Sequence, residues 1–104
     1  RSLEDALRQR QALLDTQRAA VARQLADRRS ELAQIDAELR LQQQRLALAK
    51  EALARLESLR ADNFISSAQV QAKSEEVLAV QAQLAGLTRQ RAAQQREIGA
   101  LESE

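Results

Sequence analysis

The side chains that most often carry out chemistry in proteins are scarce in this sequence. It contains no histidine and no cysteine, so its own residues can build neither a zinc site nor a nucleophile activated by an imidazole. The adjacent carboxylates Glu75 and Glu76 would lie on different sides of a helix. Neither Gly86 nor Gly99 belongs to a phosphate-binding loop. We therefore expect no enzyme activity, no cofactor and no metal, and a protein that works by reach and by contact.

The overall composition is typical of a long helix or a coiled coil. Ala, Leu, Gln, Arg and Glu dominate the 104 residues, with one aromatic residue and no methionine to fill a wide core. Sixteen basic residues are interspersed with fifteen acidic ones, which favours a solvated surface over the one-sided basic face of a nucleic-acid-binding protein. No apolar run approaches the roughly 20 residues that span a bilayer, and no signal peptide is evident. Because the chain does not begin with methionine, we expect a piece of a longer protein.

One short stretch interrupts an otherwise helical pattern. Asp62 and Asn63 are adjacent turn-forming residues in a sequence without proline, and such side chains hydrogen-bond their own backbone in place of a helix ladder. Ser66 then has the spacing of a helix N-cap. Its hydroxyl can accept from the amide of Gln69, and the Gln69 side chain can reach back to the amide of Ser66.

Two apolar residues flank this cap and support the same helix start. Ile65 and Val70 occupy the N′ and N4 positions, where a hydrophobic staple forms. The sequence therefore predicts a helix over residues 2–61, a tip over 62–66 and a second helix over 67–104. We interpret residues 1–104 as a single α-hairpin domain fragment, an all-α, long antiparallel two-helix coiled coil.

Apolar residues recur at heptad spacing in both predicted helices. In the first helix, position a holds Leu25, Leu32, Leu39, Leu46 and Leu53, and position d holds Leu7, Leu14, Val21, Arg28, Ile35, Gln42, Ala49 and Leu56. In the second helix, position a holds Val70, Val77, Leu84, Arg91 and Ile98, and position d holds Lys73, Val80, Leu87, Gln94 and Leu101. A repeat of 3.5 residues sustained over this length requires a supercoiled partner helix. Each helix supplies the partner of the other.

One antiparallel register aligns both sets of stripes. It pairs Leu46 with Val80 and Leu39 with Leu87, and the residue numbers of every such pair add to the same total. The turn and the stripes thus agree on one fold. Several layers contain a long polar side chain, whose methylenes we expect to pack on the seam while its head stays in water. The residues in question are Arg28, Gln42, Lys73, Arg91 and Gln94.

The register leaves roughly the first 22 residues without a partner, an overhang of about 33 Å. This segment is apolar enough to pack against another helix, because it contains Leu3, Leu7, Leu13 and Leu14. We expect the second helix to continue in the parent protein. In this piece the overhang should fray or bind another chain.

Three residues near the tip form a recognisable pattern. Arg55, Leu59 and Ser66 follow the spacing Arg-x3-Leu-x6-Ser across the hairpin end. This pattern resembles the hairpins of periplasmic adaptors of the hemolysin-D type, the membrane fusion proteins of Gram-negative tripartite exporters. The following helix, which begins Ser-Ser-Ala-Gln-Val, is also similar to adaptors that serve type I secretion.

The resemblance implies a function for the tip. In that family the hairpin projects from a lipoyl-like domain, and the adaptor assembles as a hexamer whose tips meet a TolC-like outer-membrane channel. The resemblance would place the chain in the periplasm. It would also imply that the parent protein is anchored in the inner membrane beside a transporter, with the ABC type favoured. The exporter would serve type I secretion or efflux. Arg55, Leu59 and Ser66 would be the docking residues.

Each tip residue also has a structural interpretation. Arg55 can be a solvated charge at position c, Leu59 can flank the seam at position g, and Ser66 is explained by capping. Phe64 and Ile65 can either close the hairpin end or widen an apolar tip. Two other function classes stay open: a cytosolic structural arm of the spectrin-repeat kind, and an RNA-binding coiled-coil arm.

Overall fold

The structure, a computed structural model, describes residues 2–104. The chain folds into two α-helices, α1 (Ser2–Ala61) and α2 (Ser67–Glu102), joined by a tip over residues 62–66. Helix α2 lies back along α1 in a rod of 92 × 15 × 14 Å. The predicted all-α hairpin is confirmed. Helix α1 runs without a second turn, so the spectrin-like arrangement, which requires one, is wrong.

Helix α2 ends two residues before the predicted end at Glu104. Its last residue is Glu102, and Ser103 follows as the C-cap. The amide of Ser103 donates to the carbonyl of Gly99 at 3.2 Å, and its hydroxyl donates to the carbonyl of Ala100 at 2.9 Å. A serine hydroxyl bonded to a nearby carbonyl competes with helix continuation.

The seam between the helices lies where the heptads predict it. From Val21 onward, every residue at positions a and d of both helices is buried or half-buried. Val80 is the most buried of them, with 1% of its surface exposed. The other buried residues are Ile35, Ala49, Val77 and Ile98. An elongated pair of helices thus has a narrow core, which agrees with the presence of a single aromatic residue in the sequence.

Two cross-helix ion pairs are consistent with the predicted alignment of the two helices. Arg28 contacts Glu97 at 3.7 Å, and Arg91 contacts Asp36. Both pairs lie within one residue of the heights that the predicted register assigns to them. The structure therefore agrees with that register.

The polar residues on the seam are accommodated in two ways. The prediction for the cationic side chains was that their heads stay in water. Each of them also contacts a carboxylate: Arg28 with Glu97, Lys73 with Glu76, and Arg91 with Asp36. The glutamines differ. Within residues 2–104, the Oε1 atoms of Gln42 and Gln94 are buried and have no hydrogen-bond partner. A buried, unpaired acceptor costs about 1–3 kcal/mol, so these two layers weaken the pair.

The overhang is present as predicted. Residues 2–19 are exposed, and the hairpin covers α1 only from Ala20 onward. Leu3 is 72% exposed and Leu7 is 58% exposed. Neither described helix contains an apolar stretch long enough to cross a membrane.

Candidate functional site

Main-chain hydrogen bonds terminate α1 at the tip. Asn63 adopts a left-handed conformation with φ 64°. The amide of Phe64 donates to the carbonyl of Leu59 at 2.8 Å, and the amide of Asn63 donates to that of Arg60 at 2.9 Å. These are the two bonds of a Schellman motif, in which asparagine tolerates the left-handed position. The turn lies where predicted, but this backbone arrangement forms it rather than side-chain bonds of Asp62 and Asn63.

A capping box begins α2, as predicted. Ser66 has extended backbone angles, φ −81° and ψ 157°. Its Oγ accepts from the amide of Gln69 at 3.4 Å, and the Oε1 of Gln69 accepts from the amide of Ser66 at 3.3 Å. Two of the amides that a helix start leaves unpaired are thereby satisfied. The serine hydroxyl at the tip is therefore engaged within the chain.

The two apolar residues of the tip have different environments. Ile65 is half-buried, as is Val70 at the matching staple position. Phe64 is 73% exposed, so it does not close the hairpin end. Of the two interpretations left open for this pair, Ile65 follows the first and Phe64 the second.

Arg55 and Leu59 lie on one exposed surface of α1. Together with Ala54 and Ser58 they line a shallow depression near the tip. Leu59 is 40% exposed, and the ion pairs found within residues 2–104 do not include Arg55. A free guanidinium beside an exposed leucine can bind an anionic or carbonyl group while burying apolar surface.

Ser66 is not grouped with them. A second depression at the tip is lined by Glu57, Arg60, Ala61, Asn63, Ile65 and Ser67. Ser66 lines neither depression. The structure thus brings together Arg55 and Leu59, while Ser66 lies outside both depressions and caps α2.

In the part of the chain that is described, no group of His, Cys, Asp or Glu is arranged to hold a metal ion. The pKa perturbation that is resolved lies beside the tip on α2. There the hydrogen bond and the charge of Lys73 hold the pKa of Glu76 below its ordinary value, against the opposing effect of burial and with a lesser contribution from the charge of Arg45.

Three exposed leucines on the shaft of the rod were not predicted as functional. Leu41 and Leu48 are each 65% exposed, and Leu78 is 61% exposed. Leu41 and Leu48 stand seven residues apart at position c, and Arg55 occupies the next c position. The heptad count that found the seam could have found this third row, had it been extended beyond positions a and d.

No protein family, characterised protein or solved structure matches the chain. The functional argument therefore rests on the hairpin and the surfaces it exposes.

Proposed function

We propose that the chain is the coiled-coil hairpin of a periplasmic adaptor of the hemolysin-D type. In this role the tip docks on a TolC-like outer-membrane channel. The parent protein, a hexamer anchored in the inner membrane, connects that channel to a transporter, with the ABC type favoured. The exporter serves type I secretion or efflux. The observation that carries the proposal is the shared exposed surface of Arg55 and Leu59 at the closed end of a 92 Å rod.

The position of these residues supports contact with another protein. Both lie outside the a and d rows, and both are exposed, so neither has a large part in holding the helices together. Arginine is enriched among the residues that dominate interface energies. An apolar side chain beside it excludes water from the contact. A partner with a carboxylate or carbonyl next to an apolar groove would pair with the Arg55 guanidinium and cover the Leu59 side chain.

The charge pattern gives less support to the RNA-binding alternative. Several arginines of the shaft are already paired with carboxylates, among them Arg28, Arg29 and Arg91. A basic face free to neutralise phosphates is the usual requirement for nucleic-acid binding. Balanced charge and internal ion pairs favour a protein partner.

The test removes the two docking side chains one at a time in the full-length parent protein. Leu59→Ala and Arg55→Ala should each weaken binding to the purified channel by about fivefold or more, the effect of an interface side chain worth at least about 1 kcal/mol. Export should fall in parallel. Helicity and melting should change little, because exposed substitutions usually shift stability by no more than about 0.5 kcal/mol.

Matched controls make the result specific to the tip. Arg40→Ala removes the same charge from an exposed position on the shaft, and Leu13→Ala removes an exposed leucine from the overhang. Both should bind like the unmodified protein. If the two tip variants fold, bind and export normally, the docking assignment is wrong.

A further inference from the structure

The overhang, residues 2–19 of α1, continues the seam of the coiled coil without a helix against it. Leu7 and Leu14 occupy position d there and are exposed. Where the covered part of the seam ends, an open depression is lined by Leu14 and Val21 of α1 and by Glu104 of α2. The apolar row that the hairpin buries therefore continues along a helix face of the same geometry that nothing covers.

The hairpin itself supplies the rule for pairing another antiparallel helix with this face. Facing residues at positions a and d, such as Leu46 and Val80, have numbers that add to a fixed total. Arg29 and Glu102, which face each other from position e at 2.8 Å, have numbers that add to five more. The choice of facing a and d residues in a new pair thus fixes which e residues meet.

A second copy of the overhang can occupy this face in three antiparallel registers, which differ by seven residues. In these registers Leu7 of one copy faces Glu4, Gln11 or Arg18 of the other, all at position a. In the third register, the start of the second copy would run into the end of α2. Sterics therefore leave the first two, of which the second has the longer overlap.

The charges at position e distinguish the three registers. In the first, Arg8 faces Arg8 of the other copy, and in the third, Asp15 faces Asp15. Like charges in these places oppose pairing. In the second register Arg8 faces Asp15 of the other copy, and the two-fold symmetry repeats this pair. The register that fits sterically with the longest overlap is thus the one in which opposite charges meet.

We infer that two copies of this chain pair through their overhangs, antiparallel and about a two-fold axis, with Leu7 of each facing Gln11 of the other. The contact is isologous, since the same surface is used twice, so it closes at a dimer. Residue 2 of one copy then lies opposite residue 16 of the other. Each overhang lies on the line of the other copy's α2, and the two tips are at opposite ends of the assembly.

The two charged groups are available for this contact. Arg8 and Asp15 are exposed, and the ion pairs found within residues 2–104 do not include them. Oδ1 of Asp15 accepts a hydrogen bond from Nε2 of Gln11 at 3.1 Å, which leaves the second carboxylate oxygen for a guanidinium. The polar a residues Glu4 and Gln11 make the pairing weak, and polar a residues of this kind also specify register. We expect a reversible dimer.

This contact does not depend on the proposed docking role, because it lies at the end of the rod opposite the tip. Substitutions at Arg55 or Leu59 should leave it unchanged, whether or not they affect binding to the channel. A failure of the overhangs to pair would equally leave docking by the tip untouched.

The shape of the dimer is the first test, on the 104-residue chain itself. Two rods of 92 Å that overlap over 15 residues, or about 22 Å, have a maximum dimension of about 160 Å. Small-angle X-ray scattering over a concentration series should approach that dimension as sedimentation equilibrium shows dimers forming. Dimers that stay near the length of one hairpin, or a chain that stays monomeric throughout the series, would overturn the inference.

Charge exchange tests the register. Asp15→Arg makes Arg8 face an arginine, and Arg8→Asp makes Asp15 face an aspartate, so each variant alone should dimerise about fivefold or more weaker, equivalent to about 1 kcal/mol over the two pairs. Mixed together, the two variants restore both attractions and should form a heterodimer as tight as the unmodified dimer.

Arg40→Asp is the matched control, because it makes the same change of charge at an exposed position on the shaft. It should leave the dissociation constant unchanged, and circular dichroism should show the same helicity in all variants. If the mixture of Asp15→Arg and Arg8→Asp associates no better than either variant alone, or Arg40→Asp weakens the dimer as much as they do, the assigned contact is wrong.

Discussion

The capping box at Ser66 offers the sharpest test of how the tip is built. Ser66→Ala removes the acceptor of the Gln69 amide and leaves that amide unpaired at the helix start. N-cap replacements of this kind cost about 0.5–2 kcal/mol. The two bonds are long, at 3.4 and 3.3 Å, so we expect about 1 kcal/mol or slightly less. For a chain of about 100 residues, this lowers the melting temperature by about 4 to 5 °C.

A second substitution separates capping from contact. Asn is as good an N-cap as Ser, so Ser66→Asn should melt within about 1 °C of the unmodified chain by the same conversion. Ser67→Ala, at the adjacent exposed position, controls for loss of a hydroxyl without loss of the cap. Melting is followed by circular dichroism at several chain concentrations. If Ser66→Ala melts like the unmodified chain, or Ser66→Asn melts like Ser66→Ala, the cap does not stabilise the hairpin as argued.

The same pair of variants assigns the role of Ser66 in docking. A hydroxyl that serves only as a cap predicts that Ser66→Asn binds the channel normally. A hydroxyl that touches the channel predicts that Ser66→Asn folds normally and binds poorly. The Ser66 hydroxyl accepts from the Gln69 amide and keeps its own proton free to donate, so the cap is compatible with either outcome.

Four further outcomes follow from the seam and the overhang. Val80→Ala should cost about 2 kcal/mol in urea unfolding, since it removes two buried carbons worth about 0.8 kcal/mol each and leaves a small cavity; no loss would mean that the seam is not packed at this 1%-exposed residue. Gln42→Leu should raise the unfolding free energy by about 1 kcal/mol, because it removes a buried, unpaired oxygen; a destabilised variant would contradict this. Because Lys73 holds the pKa of Glu76 below its ordinary value, their contact stabilises the fold above the ordinary pKa and is lost as pH falls through the lowered one. Lys73→Met should therefore reduce the loss of stability on acidification from about pH 6 to about pH 3, and an unchanged pH profile would count against the pair. Amides of residues 2–19 should exchange rapidly with solvent at low concentration and more slowly as concentration rises; strong protection of dilute monomers would be inconsistent with an overhang.

The parts of the fold predicted from sequence are those set by periodicity and local capping. The rows through Leu46 and Val80 determined which face of each helix meets the other, and the position of the tip selected one register among those that differ by seven residues. The start of α2 followed from the Ser66–Gln69 spacing, which depends on only four residues of chain. Both signals are short-range or repeated many times, so the rest of the structure cannot easily override them.

The parts that were missed depend on choices between similar local arrangements. Asn63 can turn a chain with its side chain or by a left-handed backbone, and only the structure distinguishes the two. Phe64 and Ile65 are adjacent and both apolar, and the Schellman bond from the Phe64 amide to Leu59 leaves Ile65 as the residue that turns inward. Lys73 pairs with a carboxylate three residues along its own helix, and Arg28 and Arg91 pair with carboxylates of the other helix. The Oε1 atoms of Gln42 and Gln94 have no hydrogen-bond partner.

The exposure of leucines at the tip and on the shaft has one geometric cause. A two-helix rod buries only one stripe of each helix, so an exposed leucine elsewhere gains nothing from the fold itself. Leu59 lies near the end of the rod and Leu48 lies on its side, and both are far from the overhang, whose leucines are exposed because α2 does not reach them. Exposed leucines at these two places are therefore better explained by contacts outside the hairpin than by its stability.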